Sequence, residues 1–154
     1  MDNVLKTWRT FIGQAESSEV HFHRIERLVK CYAECDSVLK TFGKDKFFYK
    51  AWLKYAEKTQ DTDKIYDFML EKEIGTNHSS LYLHIAKYFE TKVKDLKRAD
   101  KVFRKGIDYL SRHDGLHKQL SILQGDYDRF ESRVSSILNE KVIPALKKSR
   151  PRGR

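Results

Sequence analysis

The sequence predicts an all-α fold, and three observations carry that expectation. Only two prolines and seven glycines occur in 154 residues, which leaves few of the turns that bound strands. Hydrophobic residues make up 40% and aromatics 12% of the chain, enough to build a core in a chain of about one domain's length. Apolar residues recur at i, i+3, i+4, i+7 almost throughout, and runs of strand-like alternation are hard to find.

The elements follow in order. Leu5, Trp8, Phe11, Ile12 and Ala15 mark a first helix that starts near Val4 and ends near "AESSE". A second carries Ile25, Leu28, Val29, Tyr32, Cys35 and Leu39 and stops at Gly43. A third carries Phe48, Trp52, Tyr55, Ala56 and Thr59; "QDTD" interrupts it, with Asp61 or Thr62 as the next N-cap. The fourth uses Ile65, Phe68 and Met69, with Gly75 in "EIGTN" as a left-handed C-cap. A fifth begins after Ser79 and Ser80 and carries Leu81, Ile85, Tyr88 and Phe89. The sixth follows "KVKDL" with Ala99, Val102, Phe103, Gly106, Ile107 and Leu110 and is broken by "SRHDG". A last long helix runs from Leu116 through Leu123, Tyr127, Phe130 and Val134 to Ile137 and Leu138; Gly125 weakens it midway and Pro144 is expected to end it.

Helices three and four repeat in helices five and six. Tyr49, Trp52 and Ala56 match the spacing of Ser79, Tyr82 and Ala86, while Ile65 and Met69 match Ala99 and Phe103. A large aromatic, a small residue four further on, then a second helix with a small or apolar residue and a large one four on is a tetratricopeptide-like (TPR-like) grammar. The small residue lets two helices approach and the large ones fill the groove. Such hairpins stack to bury their faces, so the expected architecture is tandem TPR-like hairpins in a right-handed superhelix, capped by the first two helices and the last. A non-repeating helical bundle is the alternative.

The net charge of +9 is uneven. Residues 141–154 hold six Lys and Arg and no acid, leaving +3 on the preceding 140 residues. The expected division is a helical domain over 1–140 and a basic, disordered tail over 141–154. Lys147, Lys148, Arg150, Arg152 and Arg154 in that tail suit solvent, a nuclear-import signal or non-specific contact with a polyanion. No apolar stretch approaches the ~20 residues that span a bilayer, and the N-terminus lacks a secretory pattern, so the expectation is a soluble intracellular chain without membrane contact. In that setting the "NHS" sequon at Asn77 is only a loop.

Chemistry leaves few marks. No phosphate-binding, dinucleotide, zinc-protease or nucleophile-elbow motif occurs, nor any of the kinase motifs H-R-D, D-F-G and A-P-E, so no enzyme and no cofactor are expected. Cys31, Cys35, His113 and His117 have permissible zinc spacings within each pair, but too long a loop separates the pairs. They are read as reduced core cysteines and exposed loop histidines, with no metal.

The stretch "FYKAWLKYAEK" at 48–58 mixes aromatics with lysines, as a base-stacking surface would. At 100° per residue, with Phe48 at zero, Trp52 falls near roughly 40° and Tyr55 near roughly −20°, one inward stripe. Lys50, Lys54 and Lys58 fall on the opposite, solvated half. Nucleic-acid binding is therefore not expected beyond the tail. Tyr49, near roughly 100°, and Leu53, near roughly 140°, sit at and just outside the core sector, where an apolar residue is either an incidental exposed side chain or part of a groove for an amphipathic peptide helix.

"FYKAWLKYAEKTQDTDKIYDFMLEKEIGTNHSSLYLHIAKYFE", with "RADKVFRKGID" and "DYDRFESRV", resembles the N-terminal homology region of the Bub and Mad spindle-checkpoint proteins. "LKTWRTFIGQAE" and "ERLVKCYAECDSVLKTFGKD" fit that region's opening helices, so the resemblance covers roughly residues 5 to 135. The loop "GTNHSSLY" is closer to the Bub-kinase branch, and the Lys-Glu-Asn motif of the Mad-type branch is absent. No kinase domain or WD-repeat-binding segment is present, as in an isolated N-terminal domain or a shortened homologue. The resemblance implies an adaptor, in the nucleus and at the kinetochore in mitosis, that docks a short helical motif of a Knl-type kinetochore scaffold and contacts other checkpoint proteins. It implies Leu53, Tyr88 and Lys92 as partner-binding residues, with Tyr49 beside them; Tyr88 also falls on the inward stripe of its own helix. A half-a-tetratricopeptide scaffold in RNA processing shares the grammar and is the alternative function.

Overall fold

The computed structural model of the chain describes residues 2–149, with side chains for 3–140. Eight α-helices and one π-helical turn make up the described residues: α1 (Asp2–Gly13), α2 (Ser18–Tyr32), α3 (Asp36–Phe42), α4 (Lys46–Lys58), α5 (Thr62–Glu71), α6 (Ser79–Lys87), the π turn (Tyr88–Val93), α7 (Leu96–Arg112) and α8 (His117–Ser149). The chain divides within α6 into two compact units, Met1–Leu81 and Tyr82–Arg154.

In the first unit, helix starts are set by short polar side chains. Ser17 accepts from the Val20 amide at 3.2 Å and Asp45 from the Phe48 amide at 3.0 Å, each satisfying an orphan donor of a first turn. The apolar stripes they launch meet in an aromatic core. Tyr32, Phe42 and Phe48 pack edge to face or tilted, with Phe42–Phe48 centroids 5.5 Å apart, and Trp52 stacks on Phe68 at 5.4 Å. Gly43 closes the unit: its carbonyl accepts from the Gly75 amide at 2.6 Å, and a Cβ there would stand 2.8 Å from the Glu73 carbonyl oxygen.

The second unit is built on α7 and α8. Ala99 and Gly106 let neighbours close on α7; a Cβ at Gly106 would meet the Tyr82 ring at 2.5 Å. Phe103 packs on Phe130 at 5.1 Å and on Tyr127 at 5.4 Å. The Tyr127 hydroxyl donates to Asp100 at 2.6 Å and accepts from Arg104 Nε at 3.2 Å. Arg133 of α8 grips Glu90 of the π turn with two bonds of 2.8 and 2.9 Å. The repeat read from spacing holds in burial at Trp52 and Tyr82, both 1% exposed, at Ala56 and Ala86, both 0%, and at Met69 and Phe103, 0% and 1%, while Ile65 is half-buried where its counterpart Ala99 is at 0%.

Several local expectations change. The second sequence helix is two, because Cys35 takes a non-helical conformation (φ −105°, ψ 82°) and caps α3, whose first residue, Asp36, suits the positive helix end. Cys31 and Cys35 are exposed rather than core residues, since Ile25, Leu28 and Val29 supply the inward face of α2. Gly75 is left-handed (φ 81°), as expected, but stands beyond the end of α5, with Glu73 also left-handed (φ 58°). α8 passes Pro144 and continues to Ser149, because a proline removes one helix hydrogen bond without forbidding the next turn.

Candidate functional site

The wheel for α4 is right about which side is wet and wrong about how wide the dry side is. Lys50, Lys54, Glu57 and Lys58 are exposed, as the stripe requires. The buried set is Phe48, Tyr49, Ala51, Trp52, Leu53 and Ala56, which spans roughly 200° of the helix at 100° per residue. A helix that packs on one neighbour buries a narrower stripe; α4 is covered over more than half its circumference.

Leu53 is 6% exposed and Tyr49 1%, so the structure corrects their placement at the edge of the core. Tyr49 is held from three sides. Its ring lies against Gly75, where a Cβ would come within 2.7 Å of Cγ, and it stacks on His78 with centroids 4.7 Å apart. Its hydroxyl shares a 2.6 Å hydrogen bond with Ser80. His78 in turn reaches the Lys44 carbonyl with Nε2 at 3.0 Å, so the "GTNHSS" loop is pinned by its own side chains.

Tyr88 and Lys92 open and nearly close the π turn in the second unit. Tyr88 is half-buried and meets the Phe89 ring edge to face at 5.2 Å, while Lys92 is exposed. The turn ends where Lys94 adopts a left-handed conformation (φ 61°) and the Asp95 amide reaches back to the Phe89 carbonyl at 2.8 Å. Asp95 then caps α7 by accepting from the Arg98 amide at 3.1 Å. A π turn splays side chains away from α-helical spacing, and such turns recur at functional sites. The spacing in "YFETKVKDL" gave no warning of it.

Of the tail, the backbone at Lys147 and Lys148 belongs to α8, while their side chains and all of Arg150, Arg152 and Arg154 lie outside the described residues. His113 and His117 are exposed. Among the described residues no three His, Cys, Asp or Glu side chains form a group that could hold a metal, and no helix is long and apolar enough to cross a membrane.

One surface feature escaped the sequence reading. Trp8 and Phe11, assigned to the first helix's apolar stripe, are only half-buried, and Val4 beside them is 41% exposed. A hollow of about 480 Å³ lies over them. The signal was present in α1, whose apolar residues are too many for one narrow contact.

Paired helices with small residues at their crossings define a helical-repeat architecture. The family model for Mad3/BUB1 homology region 1 matches residues 1–107, and the chain belongs to that family. It is 30% identical over 111 residues to the mitotic spindle checkpoint protein BUBR1 of Arabidopsis thaliana, covering 69% of this chain and 27% of that protein. It is 28% identical over 141 residues to the mitotic checkpoint serine/threonine-protein kinase BUB1 of Mus musculus, covering 88% of this chain and 12% of the kinase. The chain thus spans a small part of either relative. Among solved structures, a chain of a mitotic checkpoint complex matches with a TM-score of 0.69 at 20% identity, covering 98% of this chain and 65% of that one, which establishes the shared fold.

Proposed function

We propose that this chain is an adaptor of the spindle checkpoint that docks a short amphipathic helix from a kinetochore scaffold of the Knl type, and so acts in the nucleus and at the kinetochore in mitosis. The observation that carries the reading is the family match over residues 1–107. The relatives' checkpoint roles and the neighbour's membership of a checkpoint complex support other checkpoint proteins as further partners.

The residues proposed for docking divide by exposure. Lys92 offers an exposed ammonium on the π turn and Tyr88 a half-buried ring four residues before it. Leu53 and Tyr49 lie beneath the α4 surface and would shape a docking face by packing rather than offer a free anchor. A few anchors in a shallow groove correspond to micromolar-range affinity, about 8 kcal/mol.

The test is calorimetric titration of the whole chain with the scaffold's helical peptide. Micromolar binding that weakens in Lys92→Glu, with an unchanged thermal melt, supports the reading. No saturable heat up to about 100-fold above that range overturns it. RNA affinity that falls steeply with salt and survives deletion of residues 141–154 would favour an RNA-processing scaffold instead.

A further inference from the structure

α1 carries more apolar surface than its packing uses. Leu5 and Ile12, at 8% and 3% exposed, face the core. Val4, Trp8 and Phe11, spaced i, i+4, i+7, form a second stripe along the flank. That stripe floors the hollow of about 480 Å³, walled by Asn3 and Thr7 on α1 and by Arg27 from α2. A second hollow of about 390 Å³ shares Thr7 and Phe11 and is lined also by Lys6, Thr10 and Gln14 on the adjoining flank of α1. The two hollows adjoin at Thr7 and Phe11, and the first, over the Val4–Trp8–Phe11 stripe, is the α1 groove.

The groove is stiff. Trp8 Nε1 donates to the Tyr32 hydroxyl at 2.9 Å, and its ring meets Phe11 and Tyr32 edge to face at 6.0 and 6.1 Å. Arg24 lies 4.3 Å above the Phe11 ring and donates to the Phe11 carbonyl. Arg27 lies over the same ring at 5.4 Å.

Its charge has one sign. Among the described residues the charged side chains that line the two hollows are Arg27 in the first and Lys6 in the second, with no carboxylate. Arg27 is exposed and has no carboxylate partner among the described residues. A guanidinium laid on an aromatic face keeps its N–H edges free, the arrangement that receives a carboxylate with two parallel bonds. An apolar floor the length of two helical turns with a cationic wall fits the apolar face of a helix flanked by acids.

We propose that this α1 groove docks an acidic amphipathic helix of a partner protein, with apolar residues at i, i+3 or i+4 and i+7 on the Val4–Trp8–Phe11 stripe and a carboxylate on Arg27. The proposal does not depend on the checkpoint reading, and the groove lies wholly within the first unit.

The chain supplies its own reporter. Of its two tryptophans, Trp52 is 1% exposed and Trp8 lines the groove, so a fluorescence change on titration reads Trp8. The probe is a synthetic helical peptide with leucines at the stated spacing and glutamates elsewhere, against the same peptide with lysine for glutamate. The expected result is a saturable blue shift with the acidic peptide and binding weaker by roughly ten-fold or more with the basic one. Arg27→Glu reverses that preference, and Val4→Asp, at an exposed position, abolishes the shift without moving the thermal melt. Equal binding of both peptides, no saturation with either, an unchanged preference in Arg27→Glu, or a dimer of the chain that competes with the peptide overturns the proposal.

Discussion

Two helical glycines, Gly106 in α7 and Gly125 in α8, should answer the same alanine substitution with opposite sign. Replacing a helix-interior glycine by alanine gains about 1 kcal/mol of backbone propensity. At Gly125 an added Cβ meets nothing nearer than the Arg129 guanidinium at 3.7 Å, an ordinary contact with the end of a flexible side chain, so the gain stands. At Gly106 the same Cβ lands 2.5 and 2.6 Å from Tyr82 Cγ and Cδ1 and 2.7 Å from Leu123 Cδ2. Tyr82 is 1% exposed and Leu123 0%, so neither can swing into solvent. Overpacking costs about 1–3 kcal/mol, and three stiff contacts place this site at the upper end, for a net loss of about 2 kcal/mol after the propensity gain. At about 2–4 °C per kcal/mol for a chain of this size, Gly106→Ala should melt roughly 4–8 °C below wild type and Gly125→Ala roughly 2–4 °C above it, by far-UV circular dichroism. A Gly106→Ala protein that melts at or above wild type refutes the close packing of α7 on Tyr82 and Leu123.

Tyr127→Phe removes the hydroxyl between Asp100 and Arg104 and should cost about 1 kcal/mol in denaturant unfolding. Burial first, then the bond donated to Asp100, raise the Tyr127 hydroxyl above its ordinary 10. Its contribution is therefore complete below pH 10 and lost as pH rises through the folded-state value, which absorbance titration reads as a late-ionising tyrosine. His21 shifts the other way: desolvation first, then Lys54 and Lys58, hold it below its ordinary 6.5. Stability tied to neutral His21 is present above pH 6.5 and falls as pH drops through the lowered value, and His21→Gln should flatten that acid limb in pH-dependent melts. Asp45→Ala strips the α4 cap and should cost about 1 kcal/mol, with Asp45→Ser restoring most of it.

Much of the architecture was legible because each helix announces its period and its caps. Gly75 read as left-handed from its place after an apolar run, and Ala56 and Ala86 read as close-approach points from their spacing after aromatics. What was illegible depends on how many neighbours a helix has. A wheel gives direction, but the width of the buried sector is a property of the packing, so Tyr49 and Leu53 fell inside a sector that the sequence drew too narrow. The π turn hides for a different reason. One extra residue per turn leaves composition unchanged, and Tyr88 and Phe89 satisfy an ordinary helical stripe until the backbone registers the shift. The break at Cys35 is similar, since Leu39 continues the apolar period across it.

The burial of Leu53 decides how any docking experiment on this chain must be read. An aspartate at a position 6% exposed places a carboxylate where an isobutyl group was packed, at a cost on the order of 3 kcal/mol or more. Leu53→Asp should therefore lose partner binding and melting temperature together. Its loss of binding would then follow from unfolding whether or not a partner touches α4. Lys92 and Arg27 are exposed, and each can be reversed in charge without opening the core. If Lys92→Glu abolishes scaffold binding while the melt holds, the contact lies at the π turn. If only Leu53→Asp abolishes it, and the less disruptive Leu53→Met restores both melt and binding, α4 acts by holding the unit together. A Leu53→Asp protein that melts like wild type would refute the buried placement, and would return Leu53 to the surface as a free anchor.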